Sequence, residues 1–151
     1  MENLSILLIG KVAPAYLPTE KHSILPAKGK GGFGHSDIWM STKINNKEWS
    51  KPVNLGSTVN TPYDEVGLFM APDGKTLFFC SNGPNSMGSY DIFKTTYENG
   101  QWTTPVNLGY PINTEFSDGP VSIDATGRIA YFSSDRPGGC GRKRHLHGRY
   151  F

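Results

Sequence analysis

Residues 37–83 read DIWMSTKINNKEWSKPVNLGSTVNTPYDEVGLFMAPDGKTLFFCSNG, and residues 91–139 read DIFKTTYENGQWTTPVNLGYPINTEFSDGPVSIDATGRIAYFSSDRPGG. Asp37 matches Asp91 at an offset of 54, and Trp49 matches Trp102 at 53. One residue is therefore lost in the intervening turn, Asn45-Asn46-Lys47 against Asn99-Gly100. From there the offset holds at 53 through Pro52/Pro105, Asn54/Asn107, Gly56/Gly109, Asn60/Asn113, Gly74/Gly127, Phe79/Phe132 and Ser81/Ser134. An offset that persists across PVNLG and on to the serine marks a tandem repeat, which fixes the fold class before any single residue is weighed.

Each copy reads as four short strands. The first runs over Asp37–Ile44 and opens on the large apolar pair Ile38-Trp39. An Asn-rich turn follows, and Asn99-Gly100 in the second copy is a strong hairpin signal. The return strand carries a tryptophan and Pro-Val-Asn-Leu; its proline removes a ladder donor, which places it at a sheet edge. A third strand lies near Glu65–Met70. Pro72-Asp73-Gly74 then sets a turn in which proline fixes φ, aspartate bonds locally and glycine accepts positive φ. The fourth strand, Thr76–Ser81, holds the run Leu77-Phe78-Phe79, suited to an inner strand covered on both faces. No segment sustains a 3.6-residue period, so the class is all-β. Such units must cover one another's faces, which points to an incomplete β-propeller: about two four-stranded antiparallel blades plus partial flanking strands.

The bulk composition agrees. Glycine (18) and proline (11) are abundant among 151 residues, and 12% are aromatic, as expected for short strands and tight turns. The formal charge is +2, but Arg142, Lys143, Arg144 and Arg149 all fall in the last ten positions, and without those four it would be −2. No basic face remains on the repeat itself, so nucleic acid is not an expected partner. No apolar stretch approaches the ~20 residues of a membrane span, so no insertion is expected. The opening Ile6-Leu7-Leu8-Ile9 run is shorter than a signal-peptide core and has Glu2 at its basic end, so it is not read as a leader. Cys80 sits in an apolar strand and Cys140 far from it; they define neither a disulfide framework nor a zinc motif, and their redox state is left open.

The residues Ala71-Pro72-Asp73-Gly74-Lys75-Thr76-Leu77-Phe78-Phe79 and Gly88-Ser89-Tyr90-Asp91-Ile92-Phe93 resemble the TolB-like, WD-like β-propeller repeat named for its Pro-Asp dipeptide. The tryptophan followed by PVNLG and an Asn-Thr turn looks like the version found in Bacteroidetes-type envelope proteins, where such repeats accompany an OmpA-like peptidoglycan-binding domain. The resemblance covers about Gly31 to Gly139. The second copy departs from it at Asp124-Ala125-Thr126-Gly127, which keeps the turn glycine but loses Pro-Asp-Gly. The OmpA-like part is not in this sequence. The resemblance implies a periplasmic or outer-membrane-associated location.

Three segments are therefore expected: an irregular stretch at 1–30, propeller repeats at 31–139, and a basic tail at 140–151. Neither end fits the repeat as written. One permitted codon choice for Leu17–Lys28, begun on the last base of the Tyr16 codon, spells SPDGKTLYFTSK, the strand expected before GGFGHSDIW. One for Gly141–Phe151, begun one base late, spells GGKDIYMVDI, the expected continuation after RPGG. Both ends are read as frame-shifted repeat. The nucleotide sequence decides.

Catalytic, cofactor and metal sites are each expected to be none. Cys140, His145 and His147 lack a fourth ligand at a recognised spacing. His35 reads as a loop residue able to touch a partner. Asp64, Glu65 and Asp118 fall at matched or nearly matched places, and recurrence in each copy favours turn geometry over one asymmetric catalytic pair. The sialidase Asp box fails, since no residue separates Asp73 from Gly74 and no tryptophan follows. Gly31-Gly32-Phe33-Gly34 lacks the lysine and helix of a phosphate loop. Ser133 and Ser134 lack a nucleophile-elbow context. Trp39, Trp49 and Trp102 read as core before glycan platforms. The expected function is a non-catalytic interaction scaffold in the cell envelope, with a protein partner, further blades or self-association. The alternatives are the propeller part of a hydrolase or peptidase, and a glycan-binding propeller.

Overall fold

The computed structural model describes residues 15–16, 22–124, 129–137 and 144–148. They form three antiparallel sheets and, among the described residues, no helix. The first sheet orders β1 (Ala15–Tyr16), β2 (His22–Ala27), β3 (Asp37–Thr42) and β4 (Val53–Asn54). The second orders β5 (Glu65–Met70), β6 (Thr76–Ser81), β7 (Asp91–Glu98) and β8 (Gln101–Trp102), with β9 (Val106–Asn107) also on β7. The third contains β10 (Asp118–Ile123), β11 (Ala130–Ser134) and β12 (Arg144–Gly148).

The sequence repeat and the sheets are out of phase. A copy beginning at Asp37 supplies the outer strands of one sheet and the inner strands of the next. The pairing register repeats with the sequence: Ser81 opposes Asp91, Ala27 opposes Asp37, and Ser134 opposes Arg144. The sheets are tied by a repeated backbone bond, Glu65 N–H to Ser36 O and Asp118 N–H to Tyr90 O, each 2.7 Å.

Local chemistry explains the turns. The Asp73 carboxylate accepts from Lys75 N and Thr76 N, both 2.9 Å, and from Thr76 Oγ1 at 2.6 Å, while Gly74 takes φ 68°. Burial alone would raise the Asp73 pKa, but these bonds and the Lys75 charge hold it below the ordinary aspartate value. Asn99 and Gly100 adopt φ 51° and 82°, the positive values that a two-residue hairpin requires. As expected, β4 and β9 are outer edges, each paired on one side only, directly after Pro52 and Pro105.

The core lies between the sheets. Leu77 and Phe79 of β6 face Ile24, Ile38, Val59 and Phe93, whereas Phe78 and Cys80 face the other way, toward Ile92, Ile112, Val121 and Phe132. The alternation of side chains along one strand thus feeds two interfaces, and this is why β6 reads as a continuous apolar run. Phe79 and Phe93 stack with ring centroids 5.9 Å apart.

Three expectations need correcting. The first strand ends at Thr42, because Ile44 turns back to bond Glu48 O in the longer hairpin. Residues 1–30 are not wholly irregular: Ala15–Tyr16 and His22–Ala27 are strands, as is Arg144–Gly148 in the tail. A ladder is made of backbone groups, so the open edges of β3 and β11 accept strands whose side chains lack the repeat pattern. Third, Trp49 is 41% exposed, since it lies on the hairpin beyond the sheet interface.

Candidate functional site

The loops that enter β3, β5, β7 and β10 gather at one end of the three sheets. The strand-opening position of each carries a carboxylate: Asp37, Glu65, Asp91 and Asp118, every one almost wholly buried. A buried carboxylate must be met by donors or positive charge. Asp37 accepts from Phe33 N (2.6 Å), Gly34 N (3.0 Å) and Asn54 Nδ2 (2.7 Å). Asp91 repeats the set with Met87 N (2.7 Å), Gly88 N (3.2 Å) and Asn107 Nδ2 (2.7 Å).

The asparagines of the repeat complete this lattice. Asn60 accepts from Ile38 N and donates to Ile38 O and Asn54 Oδ1; Asn113 does the same with Ile92 and Asn107. Gly34 and Gly88 sit where the following sheet's loop crosses. A β-carbon at Gly34 would collide with Thr61 O and Tyr63 O, and one at Gly88 with Phe116 O. The motif PVNLG with its downstream Asn-Thr is thus a hydrogen-bonded clamp on the loop that precedes each Asp-Ile strand.

Glu65 and Asp118 organise the second type of loop. Glu65 accepts from Thr61 N (3.1 Å), Thr61 Oγ1 (2.5 Å) and Ser81 Oγ (3.2 Å). Asp118 accepts from Thr114 N (2.6 Å) and Thr114 Oγ1 (2.7 Å), and its other oxygen pairs with Arg136 Nη2 at 2.7 Å. Arg136 also donates to Pro111 O (2.8 Å), Ile112 O and Ser134 Oγ (2.7 Å), and its guanidinium lies 5.6 Å from the Phe132 ring centroid. The residue matched to Arg136 in the second sheet is Gly83. No cationic side chain among the described residues pairs with Glu65. Burial pushes its pKa above the ordinary glutamate value; hydrogen bonds from Thr61 and Ser81 oppose this, and the charge of Asp37 adds to it.

Beside Glu65 lies a cavity of about 140 Å³, lined among others by Thr58, Val59, Phe79, Ser81 and Asn85. A shallower groove of about 380 Å³ separates the outer strands of the first two sheets, where Trp102, Tyr97, Met40 and Val53 meet. The Tyr97 and Trp102 rings are tilted at 56° with centroids 5.2 Å apart, and the buried Trp102 Nε1 has no hydrogen-bond partner among the described residues.

The other candidate residues are placed as follows. Asp64 takes the Tyr90 hydroxyl at 3.2 Å; burial, then the Asp64 charge, raises the Tyr90 pKa. His35 is exposed and its N–H bonds Tyr63 O at 3.2 Å. Phe33 and Gly34 N–H groups serve Asp37. Ser133 Oγ donates to Gly119 O, and Ser134 Oγ faces Arg136, so neither serine meets a base. Trp39 is buried with Nε1 on Ala27 O at 3.1 Å. Cys80 is a free, buried thiol, its pKa pushed up to about 12 by burial first and by Asp118 and Asp91 second. No metal-holding group of His, Cys, Asp and Glu occurs among the described residues. Cys140 lies outside them, and of His145 and His147 only the backbone is described. Arg136 and Gly83 were not singled out from the sequence, although the offset of 53 that aligns Glu65 with Asp118 also aligns them.

No family model and no curated relative matches the chain. Among solved structures, it is similar to a chain assigned as a TolB from Agrobacterium tumefaciens, with 18% identity and a TM-score of 0.47. That alignment covers 91% of this chain and spans 57% of the other.

Proposed function

We propose that the chain is a non-catalytic run of β-propeller blades from a cell-envelope protein, acting as a scaffold for protein or envelope partners. The observation that carries this reading is the repeated clamp. In successive sheets the matched carboxylates Asp37 and Asp91 are committed to loop N–H groups, and Glu65 and Asp118 to loop N–H and hydroxyl groups. A polar residue spent on loop geometry in every copy builds a display surface; it does not supply one poised acid or base. The envelope location draws on the Pro-Asp motif resemblance alone. It is tested by osmotic-shock fractionation of cells producing the epitope-tagged full gene product. Recovery in the periplasmic or outer-membrane fraction is expected, and cytoplasmic recovery would overturn it.

A glycan-binding reading takes second place, on the strength of the Tyr97–Trp102 groove. Aromatic faces suit sugar rings, but these two rings pack on each other at 5.2 Å and leave less face open. A glycan array on the full gene product separates the readings: a saturable hit abolished by Trp102→Ala would favour the sugar.

A further inference from the structure

The cavity beside Glu65 has the shape and chemistry of a site that the next sheet fills from within. Arg136 is held by Pro111 O, Ile112 O, Asp118, Ser134 Oγ and the Phe132 ring. Stepping back 53 residues from each gives Thr58, Val59, Glu65, Ser81 and Phe79, and all five line the cavity. The residue that steps back from Arg136 itself is Gly83, which has no side chain to put there. The turn at that point is held alike in both copies: Gly83 N bonds Ser81 Oγ at 3.0 Å and Arg136 N bonds Ser134 Oγ at 3.3 Å. The walls of an arginine slot are therefore present without the arginine.

We propose that this cavity is a binding site for a guanidinium group, presented by an arginine side chain of a peptide or protein partner. By the offset of 53, its acceptors are the Glu65 carboxylate, Ser81 Oγ and the carbonyls that Thr58 and Val59 carry in place of Pro111 and Ile112, with Phe79 in place of Phe132. A guanidinium carries five donors in a planar fork and no acceptor, which suits a wall of oxygens over an aromatic ring. At about 140 Å³ the space is near that of an apolar cavity that takes benzene, so a guanidinium fits. The mouth is reachable, because Thr58, Pro84, Asn85 and Thr104 on its rim are exposed while Glu65 at its floor is buried. The charge also favours it. Glu65 sits with Asp37 as a charged neighbour and, among the described residues, without a cationic partner, whereas Asp118 has Arg136. The site does not depend on the envelope location, and its failure would leave that location standing.

Saturation-transfer NMR on the 151-residue chain observes the ligand and tolerates self-association of the protein. The probes are Nα-acetyl-arginine N-methylamide, its lysine counterpart and free methylguanidinium. The arginine derivative should bind saturably, and lysine at least about tenfold more weakly, since a point charge cannot engage the planar set of acceptors. Methylguanidinium carries every group that the slot reads and should compete with the arginine derivative; failure to compete would place the derivative elsewhere and overturn the proposal. Glu65→Gln should lower affinity by about tenfold or more, the size of one charge-assisted hydrogen bond. Gly83→Arg should abolish binding by filling the slot from within, and it keeps the test sound if Glu65→Gln alters folding. No saturable signal in the unmodified chain, or an undiminished signal in Gly83→Arg, would overturn the proposal.

Discussion

Glu65 and Asp118 open equivalent strands in neighbouring sheets, and their loops are held alike by Thr61 and Thr114. They differ in what stands opposite. Asp118 faces an arginine that also braces two carbonyls of the preceding loop, whereas Glu65 faces a cavity. Two jobs of a buried carboxylate are thereby separated. Accepting from the threonine is what shapes the loop, because it persists in both copies. Neutralisation by a cation is an addition, and at Glu65, where no described residue supplies one, burial pushes the carboxyl toward its protonated form.

The largest expected effect comes from breaking the filled copy. Arg136→Met should leave Asp118 buried without its cation, at a cost of about 3–5 kcal/mol. Urea unfolding followed by circular dichroism measures it; a loss within 0.5 kcal/mol of zero, the ordinary range for surface changes, would mean that the loop groups alone satisfy Asp118. Next comes the clamp shared by both copies. Asn60→Ala leaves the buried Ile38 N–H without its acceptor and takes one of two donors from Ile38 C=O, which keeps Leu55 N, for about 1–3 kcal/mol, and Asn113→Ala should cost as much through Ile92. Unequal losses would show that the two sheets do not rely on the clamp alike.

Much of this was legible in the sequence. The strands Glu65–Met70 and Thr76–Ser81, the Asp73 turn and the edge position of the proline-led strands follow from alternation and turn chemistry, which act over a few residues. The arginine slot was not read, because its walls come from carbonyls 24 and 25 residues away and backbone carbonyls leave no mark on residue identity. Strand β2 was missed for another reason. His22-Ser23-Ile24-Leu25-Pro26-Ala27 has neither the apolar run of β6 nor its burial, and only Ile24 and Ala27 are buried. Its pairing register with β3 nonetheless equals that of β6 with β7. The frame-shifted reading places TLYFTS on the same six positions, and sequencing of the gene around the Tyr16 codon decides it.

A smaller effect is expected from converting the open copy into the filled one. Gly83→Arg should stabilise the chain by about 1 kcal/mol, combining a partly buried ion pair with the lower chain entropy of a non-glycine residue. A β-carbon there would lie 3.0 Å from Thr61 Oγ1 and 3.1 Å from Ser81 Oγ, so two hydroxyls must give way slightly. Urea midpoints compared with the parent chain measure the gain, and a lower midpoint would mean that the hydroxyls do not yield.

The smallest effect is the most diagnostic, because it turns on a sign. Glu65 has a raised pKa in the folded chain, so folding favours its protonated form. Its contribution to stability is therefore fully present below the ordinary glutamate value of 4.5 and is lost as pH rises through the higher folded value. Glu65→Gln, fixed in a neutral state, should remove this loss and flatten stability against pH in the window just above 4.5. Gly83→Arg should reverse it, since a guanidinium against Glu65 favours the ionised form and makes the contribution appear as pH rises. Urea midpoints of the three chains across that window measure the slopes. If Gly83→Arg keeps the parent's sign, the introduced guanidinium does not reach Glu65, and the likeness between the two loops ends at their backbones.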